Sequence, residues 1–122
     1  MKNIFLLLFI SFIIGLIVYY FLPEKELPPN SKITKIIVLK SKRKMFVYSN
    51  DILLKTYIIS LGKSPIGDKQ FEGDNKTPEG TYFINAKNPN SVCYKNLGIS
   101  YPDKTDISEA KKFGKSTGGD IK

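Results

Sequence analysis

The stretch Gly-Asp-Lys-Gln-Phe-Glu-Gly-Asp-Asn-Lys-Thr-Pro-Glu-Gly-Thr-Tyr, residues 67–82, lies between two strand-like runs. Gly67, Gly73 and Gly80 allow backbone angles that other residues resist, and Pro78 fixes its own φ and favours an extended conformation in the residue before it. A loop of this length in a compact domain is usually functional or disordered. Because apolar segments flank it on both sides, the sequence predicts an ordered and functional loop.

Short runs rich in β-branched and aromatic residues precede and follow this loop. The predicted strands are 33–39, 45–48, 52–61, 81–85 and 97–101. A basic turn joins the first two, Asn50-Asp51 marks the next turn, and a polar turn over 87–91 separates the last two. The first three strands therefore predict an antiparallel meander, and the sequence as a whole predicts a mainly β fold.

One short helix is predicted near the end of the chain. Thr105 or Asp106 is the expected N-cap, the helix runs to Phe113, and Gly114 is a stop signal. A Gly-rich segment then leads into 118–122, which has the pattern of a further strand. Because this pattern ends almost as soon as it begins, we expect the chain to stop inside a domain, with 118–122 along an open sheet edge.

The amino-terminal segment Ile4–Leu22 is apolar apart from Ser11. Nineteen helical residues at about 1.5 Å each span roughly 28 Å, close to the ~30 Å hydrocarbon core of a bilayer. We predict a single-pass anchor over 1–22, with Lys2 on the inner side and the domain facing the periplasm or cell exterior. A cleaved signal peptide is the alternative, although no small-x-small cleavage site follows the segment.

The sequence thus predicts three parts: the cytoplasmic-membrane anchor 1–22, a stiff Pro-containing linker over 23–32, and one domain over 33–122. The 122 residues carry 19 Lys and Arg against 11 Asp and Glu, a net charge of +8. The dense basic run, formed by Lys40, Lys42, Arg43 and Lys44, coincides with the first predicted turn. Since nucleic-acid binders concentrate charge on one face, we interpret it as a solvated turn and predict no nucleic-acid partner.

The chain contains no His and one cysteine, Cys93. These 122 residues therefore supply no disulfide, no Ser-His-Asp or Cys-His pair and no metal site with ordinary ligand spacing, so we predict neither metal nor cofactor. Cys93 is interpreted as a small, partly buried residue rather than a reactive thiol. Nothing in the sequence predicts an oligomeric state.

Several of these segments together resemble the L,D-transpeptidase (YkuD-type) catalytic domain, most closely its murein-associated, periplasmic subgroup. The resemblance is carried by 61–67, by 72–82 with its Thr-Pro-Glu-Gly, and by Asn-Pro-Asn-Ser at 88–91, Ile-Ser-Tyr-Pro at 99–102 and Gly-Gly-Asp-Ile at 118–121. It implies a barrel-like or sandwich-like β fold that is incomplete here. In the family, a His-Gly pair and a Ser-x-Gly-Cys motif follow the Gly-Gly-Asp-Ile strand, and both are missing from this chain.

The resemblance implies acyl transfer from a peptidoglycan stem peptide through a Cys thioester. Since Cys93 lacks the flanking motif, we assign no catalytic residue and predict an inactive, membrane-anchored enzyme fragment. Stem peptides carry amines and carboxylates, so Lys69, Glu79 and Tyr101 are the candidate substrate contacts. The alternatives are a non-catalytic extracytoplasmic β-domain that binds peptidoglycan or a wall-linked protein, and a product that never folds.

Overall fold

The computed structural model describes residues 2–22, 26–92 and 94–121. In chain order they form α1 (Lys2–Phe21), β1 (Lys35–Leu39), a 3-10 turn (Lys40–Lys42), β2 (Lys44–Ser49), β3 (Ile52–Ile58), β4 (Ile84–Ser91), β5 (Tyr94–Ile99) and α2 (Lys104–Lys112). Strands β1, β2 and β3 form one sheet in that order, and β4 and β5 form another. The predicted mainly β fold with a meander, one short helix and an amino-terminal apolar helix is confirmed.

Contacts divide the chain into two units, one made of 1–36 with 46–56 and the other of 37–45 with 57–122. The first unit contains α1, whose 19 residues Asn3–Phe21 are long and apolar enough to cross a bilayer, and none of them is buried. A signal sequence near an amino terminus has the same length and composition. The structure therefore confirms an apolar helix that suits either a membrane span or a signal sequence.

In the first unit, Thr34, just before β1, makes hydrogen bonds to the end of β2 and to the turn that follows it. Its N–H donates to the Tyr48 carbonyl at 2.9 Å, and its Oγ1 accepts from the Asn50 N–H at 2.6 Å. Asn50 takes a left-handed conformation with φ of 51°, which asparagine tolerates better than most residues. The turn predicted at Asn50-Asp51 is thus confirmed.

In the second unit, the third predicted strand proves too long, because β3 ends at Ile58 rather than at Leu61. The Ile59 N–H still donates to the Arg43 carbonyl at 3.0 Å, but the Gly62 N–H donates to a side chain of the following loop. The chain therefore leaves the ladder at an apolar residue, where hydrophobicity alone predicted that the strand would continue.

The hairpin of β4 and β5 also differs from the prediction. The sequence predicted strands over 81–85 and 97–101 with a polar turn over 87–91, but the structure places 87–91 inside β4. It also starts β5 at Tyr94 and ends it at Ile99. The predicted bounds of both strands were wrong, and the hairpin turn lies several residues later in the chain than the predicted turn.

Cross-strand pairing explains why this polar segment is a strand. Lys87 pairs with Leu97 and Asn88 with Asn96 in the antiparallel register. Ladder hydrogen bonds are made by the backbone, so they outweigh the low β-propensity of lysine and asparagine here. Pro89, which has no N–H to donate, falls where the register shifts.

Helix α2 begins earlier than predicted, because its N-cap is Asp103 rather than Thr105 or Asp106. The Asp106 N–H donates to Asp103 Oδ1 at 2.9 Å, and the Asp103 N–H donates to Asp106 Oδ2 at 2.8 Å. Two carboxylates thus form a reciprocal capping box in which aspartate takes the place of the usual Glu or Gln. Gly114 follows the helix with φ of 63°, which confirms the predicted stop.

The core of the second unit is small. Among the described non-glycine residues of that unit, Tyr101, Ala110 and Thr117 are buried. The Tyr101 hydroxyl donates to the Thr117 carbonyl at 3.0 Å, so the polar atom of the largest core residue is paired. This hydrogen bond joins the end of the hairpin to the segment after α2.

That last segment reaches the end of β5. The Ile121 carbonyl accepts from the Ile99 N–H at 3.2 Å, although no strand is formed within residues 118–121. The predicted position of 118–122 beside a sheet is thus seen at one hydrogen bond, and Lys122 lies outside the described residues.

Candidate functional site

The loop of residues 67–82, called the organising loop below, is built around the Asp74 carboxylate. Oδ2 accepts from the backbone N–H groups of Gln70 and Phe71 at 2.7 and 3.2 Å. Oδ1 accepts from the Lys76 N–H and from Lys69 Nζ, both at 3.0 Å. One carboxylate therefore satisfies three backbone donors and one ammonium, which gives the loop its shape without any regular secondary structure.

These contacts determine the charge state of Asp74. Burial on its own raises the pKa of this carboxyl, but hydrogen bonds from the Gln70, Lys76 and Phe71 amides and from Lys69 outweigh burial. The pKa therefore lies well below its usual value of 3.8. Only 7% of the Asp74 side chain and 14% of the Lys69 side chain are exposed, so this is a largely desolvated ion pair.

Lys40, from the 3-10 turn, holds the organising loop from outside. Its Nζ donates to the carbonyls of Gly67 and Thr77 at 2.7 and 2.8 Å and to Glu79 Oε1 at 2.8 Å. Only 13% of its side chain is exposed. Three converging acceptors match the three donors of an ammonium group and offset its desolvation.

Lys40 corrects the prediction that the whole basic turn is solvated. Lys42, Arg43 and Lys44 are exposed as predicted, whereas Lys40 is committed to the organising loop. A run of cations in sequence cannot show which member meets acceptors more than 25 residues away. Lys40 is therefore a structural residue that the sequence did not identify.

The residues just before the organising loop lie close to the backbone of its middle part. The Gly62 N–H donates to Thr77 Oγ1 at 3.2 Å, and the Ser64 N–H donates to the Asn75 carbonyl at 3.0 Å. A Cβ on Gly62 would overlap the Asn75 carbonyl, so the position requires glycine. These contacts hold the two ends of the segment from Gly62 to Thr77 together.

Aromatic packing attaches the loop to the end of α2. The rings of Phe71 and Phe113 lie 5.3 Å apart between centroids, and Lys115 Nζ lies 3.9 Å from the centroid of Phe71. The Glu72 N–H also donates to the Ser116 carbonyl at 2.7 Å. The loop is thus fastened to the segment that follows the helix as well as to Lys40.

A cleft of about 180 Å³ lies beside the organising loop and is called the acidic cleft below. It is lined by Asp68, Lys69, Glu79, Gly80, Thr81, Tyr82, Asp103, Thr105, Asp106 and Glu109. Five of these residues carry carboxylates and one carries an ammonium group that is bonded to Asp74. The cleft is therefore negatively charged in a chain whose net charge is +8.

Tyr82 connects the acidic cleft to the helix cap. Its hydroxyl lies 3.2 Å from Asp106 Oδ1 and 3.3 Å from the Glu79 carbonyl. Burial raises the pKa of the Tyr82 phenol, and the charge of Asp106 raises it further, so the phenol keeps its proton and donates. The same carboxylate therefore caps α2 and orients a wall of the cleft.

A second cleft, of about 330 Å³ and called the apolar cleft below, is also lined by Glu79. It is lined by Lys40, Ser41, Arg43, Leu61, Pro65, Ile66, Gly67 and Glu79. Its walls combine aliphatic side chains with the exposed guanidinium of Arg43. Glu79, whose own N–H donates to Asp68 Oδ1 at 2.6 Å, borders both clefts.

The three predicted substrate contacts lie in different environments. Lys69 and Glu79 both line the acidic cleft, but the Lys69 ammonium is bonded to Asp74 and to the Phe71 carbonyl, whereas Glu79 is half-exposed. Tyr101 is not among the lining residues; it is buried, with its ring edge-on to Tyr82 at 6.0 Å. The structure therefore brings two of the three together.

Tyr101 has the environment of a core residue. Burial, with the charges of Asp106, Asp74 and Asp68 adding to it, raises the pKa of Tyr101 to about 12. Its phenol is therefore neutral at any physiological pH and acts as the donor to the Thr117 carbonyl. Its role as a substrate contact stays a prediction.

Cys93 lies outside the described residues, so the prediction that it is a bland thiol stays a prediction. Within the parts of the chain that the structure describes, no group of three His, Cys, Asp or Glu side chains is placed to hold a metal ion. The candidate site therefore consists of the organising loop and the two clefts that Glu79 lines.

A family model of the L,D-transpeptidase catalytic domain (YkuD) matches residues 33–121. The chain belongs to the L,D-transpeptidase catalytic-domain family. Comparisons with curated proteins and with solved structures found no match. The organising loop and both clefts lie within the matched segment, so the candidate site is part of the L,D-transpeptidase-like domain.

Proposed function

We propose that the chain is an extracytoplasmic cell-wall domain held at the cytoplasmic membrane by α1. The observation that carries this proposal is the family match over residues 33–121, because the L,D-transpeptidase family acts on peptidoglycan stem peptides outside the cytoplasm. The apolar helix supports it: Asn3–Phe21 can span a bilayer, and no small-x-small site follows. In this proposal, residues 23–32 are the linker and 33–122 the domain.

The proposed contact with a stem peptide is centred on Glu79. Its side chain is half-exposed and the residue lines both clefts, one of them rich in carboxylates and the other also lined by Arg43. Stem peptides carry both amines and carboxylates, which are complementary to these two charged surfaces. Lys69 and Tyr101 would contact the peptide only by exchanging their internal hydrogen bonds for bonds to it.

Catalysis of acyl transfer requires functional groups that these residues do not provide. Attack on a stem-peptide bond through a thioester needs a thiolate, a general base and donors for the oxyanion. The 122 residues contain no His, and Cys93 lacks the family's Ser-x-Gly-Cys context. We therefore propose that this chain of 122 residues binds stem peptides without turning them over.

The binding part of the proposal is tested by calorimetry of the full chain in detergent micelles with a synthetic tetrapeptide stem. Because Glu79 supplies a charge-assisted contact, Glu79→Gln should weaken binding about tenfold. Glu72→Gln is the matched control, since Glu72 is an exposed glutamate of the same loop that lines neither cleft. Equal affinities for the two variants would show that the peptide does not bind at Glu79.

The alternative is a chain that turns stem peptides over, and the absence of histidine from these 122 residues counts against it. Mass spectrometry of stem peptides incubated with the full chain separates the two. The proposal expects unchanged peptide masses, and a product that disappears in Cys93→Ser would establish a catalytic chain instead.

The anchor is tested separately by mass spectrometry of the chain recovered from cell membranes. We expect residues 1–22 to be attached and the chain to resist alkaline extraction. A soluble product whose amino terminus lies near residue 23 would identify α1 as a signal sequence.

A further inference from the structure

The turn between β4 and β5 presents apolar side chains to solvent. Ser91 and Tyr94 are the last pair of the ladder, and Val92 follows Ser91 at the tip. Val92 is fully exposed and 78% of Tyr94 is exposed. We call Val92 and Tyr94 the hairpin tip. An exposed aliphatic and an exposed aromatic side chain at the end of a two-stranded ribbon gain free energy when they leave water.

The flanks of the hairpin tip are basic. Lys95 Nζ lies 5.1 Å from the centroid of the Tyr94 ring, and Lys87 lies further along β4. Residues 83–101, which contain the whole hairpin, carry these two lysines and no Asp or Glu. The hairpin segment itself therefore combines an apolar and aromatic end with positive charge and contributes no negative charge.

The linker allows this surface to reach a membrane. Thirteen residues, 22–34, connect α1 to β1, and a chain of that length extends to at most about 45 Å. A domain of this size has a radius of gyration of about 12 Å. If α1 spans the bilayer, this connection is long enough for the domain to turn its hairpin towards the lipid surface.

We infer that the hairpin tip docks on the bilayer that holds α1, with Val92 and Tyr94 among the headgroups and Lys87 and Lys95 facing anionic lipids. Tyrosine is enriched at membrane interfaces, and each lysine near an anionic surface raises membrane affinity about fivefold. This inference rests on the proposed function, because it is α1 that keeps the domain within reach. It adds a second contact with the membrane, made by the folded domain itself.

The chain lacks tryptophan, so a single Trp reports the environment of one position. We would place it at the tip with Val92→Trp and at a matched control with Ile66→Trp, since both native residues are exposed aliphatics of the second unit. Each full chain is reconstituted through α1 into vesicles of brominated phosphatidylcholine, with or without about one third phosphatidylglycerol.

We expect Val92→Trp to be quenched at least about twofold more than Ile66→Trp, to emit at shorter wavelength, and to be quenched more strongly in the anionic vesicles. Adding Lys95→Glu should reverse the effect of the anionic lipid. Equal quenching of the two tryptophans, or quenching that ignores both the anionic lipid and Lys95→Glu, would overturn the inference.

A shorter emission wavelength at position 92 without quenching by brominated lipid would also overturn it, and would identify a second protein copy as the surface that covers the tip. Failure of the anchor is seen independently, as loss of residues 1–22 from chains recovered from cells. The two readouts therefore distinguish a wrong docking surface from a wrong membrane assignment.

Discussion

The organising loop and the β4–β5 hairpin occupy neighbouring stretches of one chain and are ordered by opposite means. The loop contains no regular ladder and is held by side chains, with Asp74 and Lys40 together making seven hydrogen bonds to it or within it. The hairpin is held by backbone pairing along β4 and β5, while many of its side chains remain exposed. Order in the loop therefore depends on a few particular residues, and order in the hairpin depends on almost none.

This contrast explains which region can carry a site. Charged groups that are desolvated and fully bonded hold neighbouring groups in one geometry, and the largely buried Lys40 places the Glu79 side chain in this way. The Glu79 N–H also donates to the exposed Asp68 carboxylate. The hairpin tip has no comparable network among the described residues. The hairpin tip therefore suits association with a partner that has no fixed geometry, such as a bilayer. The predictions below test the contrast, beginning with the largest effect.

Asp74→Ala should produce the largest loss of stability. It removes the acceptor of three backbone amides and leaves the largely desolvated Lys69 ammonium with the Phe71 carbonyl but no counter-ion, so we expect a cost of about 3–5 kcal/mol. Urea unfolding of the full chain in micelles, followed by circular dichroism, measures it. Asp51→Ala is the control, since that carboxylate is exposed and pairs weakly with Lys35 at 3.8 Å, and we expect a change within about 0.5 kcal/mol.

The Asp74 contribution should also depend on pH. Its pKa is lower in the folded chain than its usual 3.8, so the stabilisation is complete above that value and is lost as the pH falls below it toward the folded pKa. Urea midpoints measured from neutral to acidic pH should fall more steeply for the natural chain than for Asp74→Asn. Parallel curves for the two proteins would mean that Asp74 is not the group responsible.

Lys40→Met should cost about 2 kcal/mol, because three acceptors lose an ammonium partner while the aliphatic stem is kept. Hydrogen exchange should increase within the organising loop and leave the β4–β5 ladder unchanged. Lys42→Met removes the same charge from an exposed position of the same turn and should change stability by less than about 0.5 kcal/mol. Similar losses for the two variants would refute the assignment of Lys40 as the residue that holds the loop.

Gly62→Ala should lower the free energy of unfolding by about 1–3 kcal/mol, because the new methyl group overlaps the Asn75 carbonyl. The backbone segments at Gly62 and Asn75 must then move apart. Gly119→Ala is a matched substitution at a position where the added atom meets nothing within 4 Å. Thermal unfolding measures the loss of stability in each of the two variants. If Gly119→Ala is as harmful as Gly62→Ala, close backbone approach is not the reason for glycine at 62.

The smallest effect is expected at the hairpin tip. Val92→Ser should change the unfolding free energy by less than about 0.5 kcal/mol, because the valine is fully exposed and buries no surface in the fold. The same variant should weaken association of the tip with lipid. A stability loss comparable to that of Lys40→Met would show that the tip packs within the protein and would remove the basis for a membrane contact.

The family and the loop could be predicted from sequence because they depend on local signals. The three glycines and Pro78 specify unusual backbone angles at fixed positions, and φ is positive at Gly67, Gly73 and Gly80. The same applies to the Asn50 turn and to the stop at Gly114. Asp74 carried a weaker signal, as an aspartate placed before an asparagine in a Gly-rich loop, where side chains often bond to nearby amides.

The errors occurred where distant pairing overrides local preference. Residues 87–91 look like a turn but belong to β4, which pairs with β5, and the run to Leu61 looks like a strand although β3 ends at Ile58. Lys40 is chemically like its neighbours in the basic turn, and only its position relative to Gly67 and Glu79 distinguishes it. A local sequence pattern does not show which distant acceptors a lysine will meet in the fold.

The sequence by itself determined the mainly β class, the apolar amino-terminal helix, the family and the glycine-defined loop, because spacing, hydrophobicity and backbone permissiveness act over a few residues. Tertiary structure alone decided which lysine is largely buried, that Asp106 accepts from Tyr82, and that Glu79 lines two clefts of different character. These features arise when hydrogen-bonding groups far apart in the chain meet in a desolvated place, where each must find a partner.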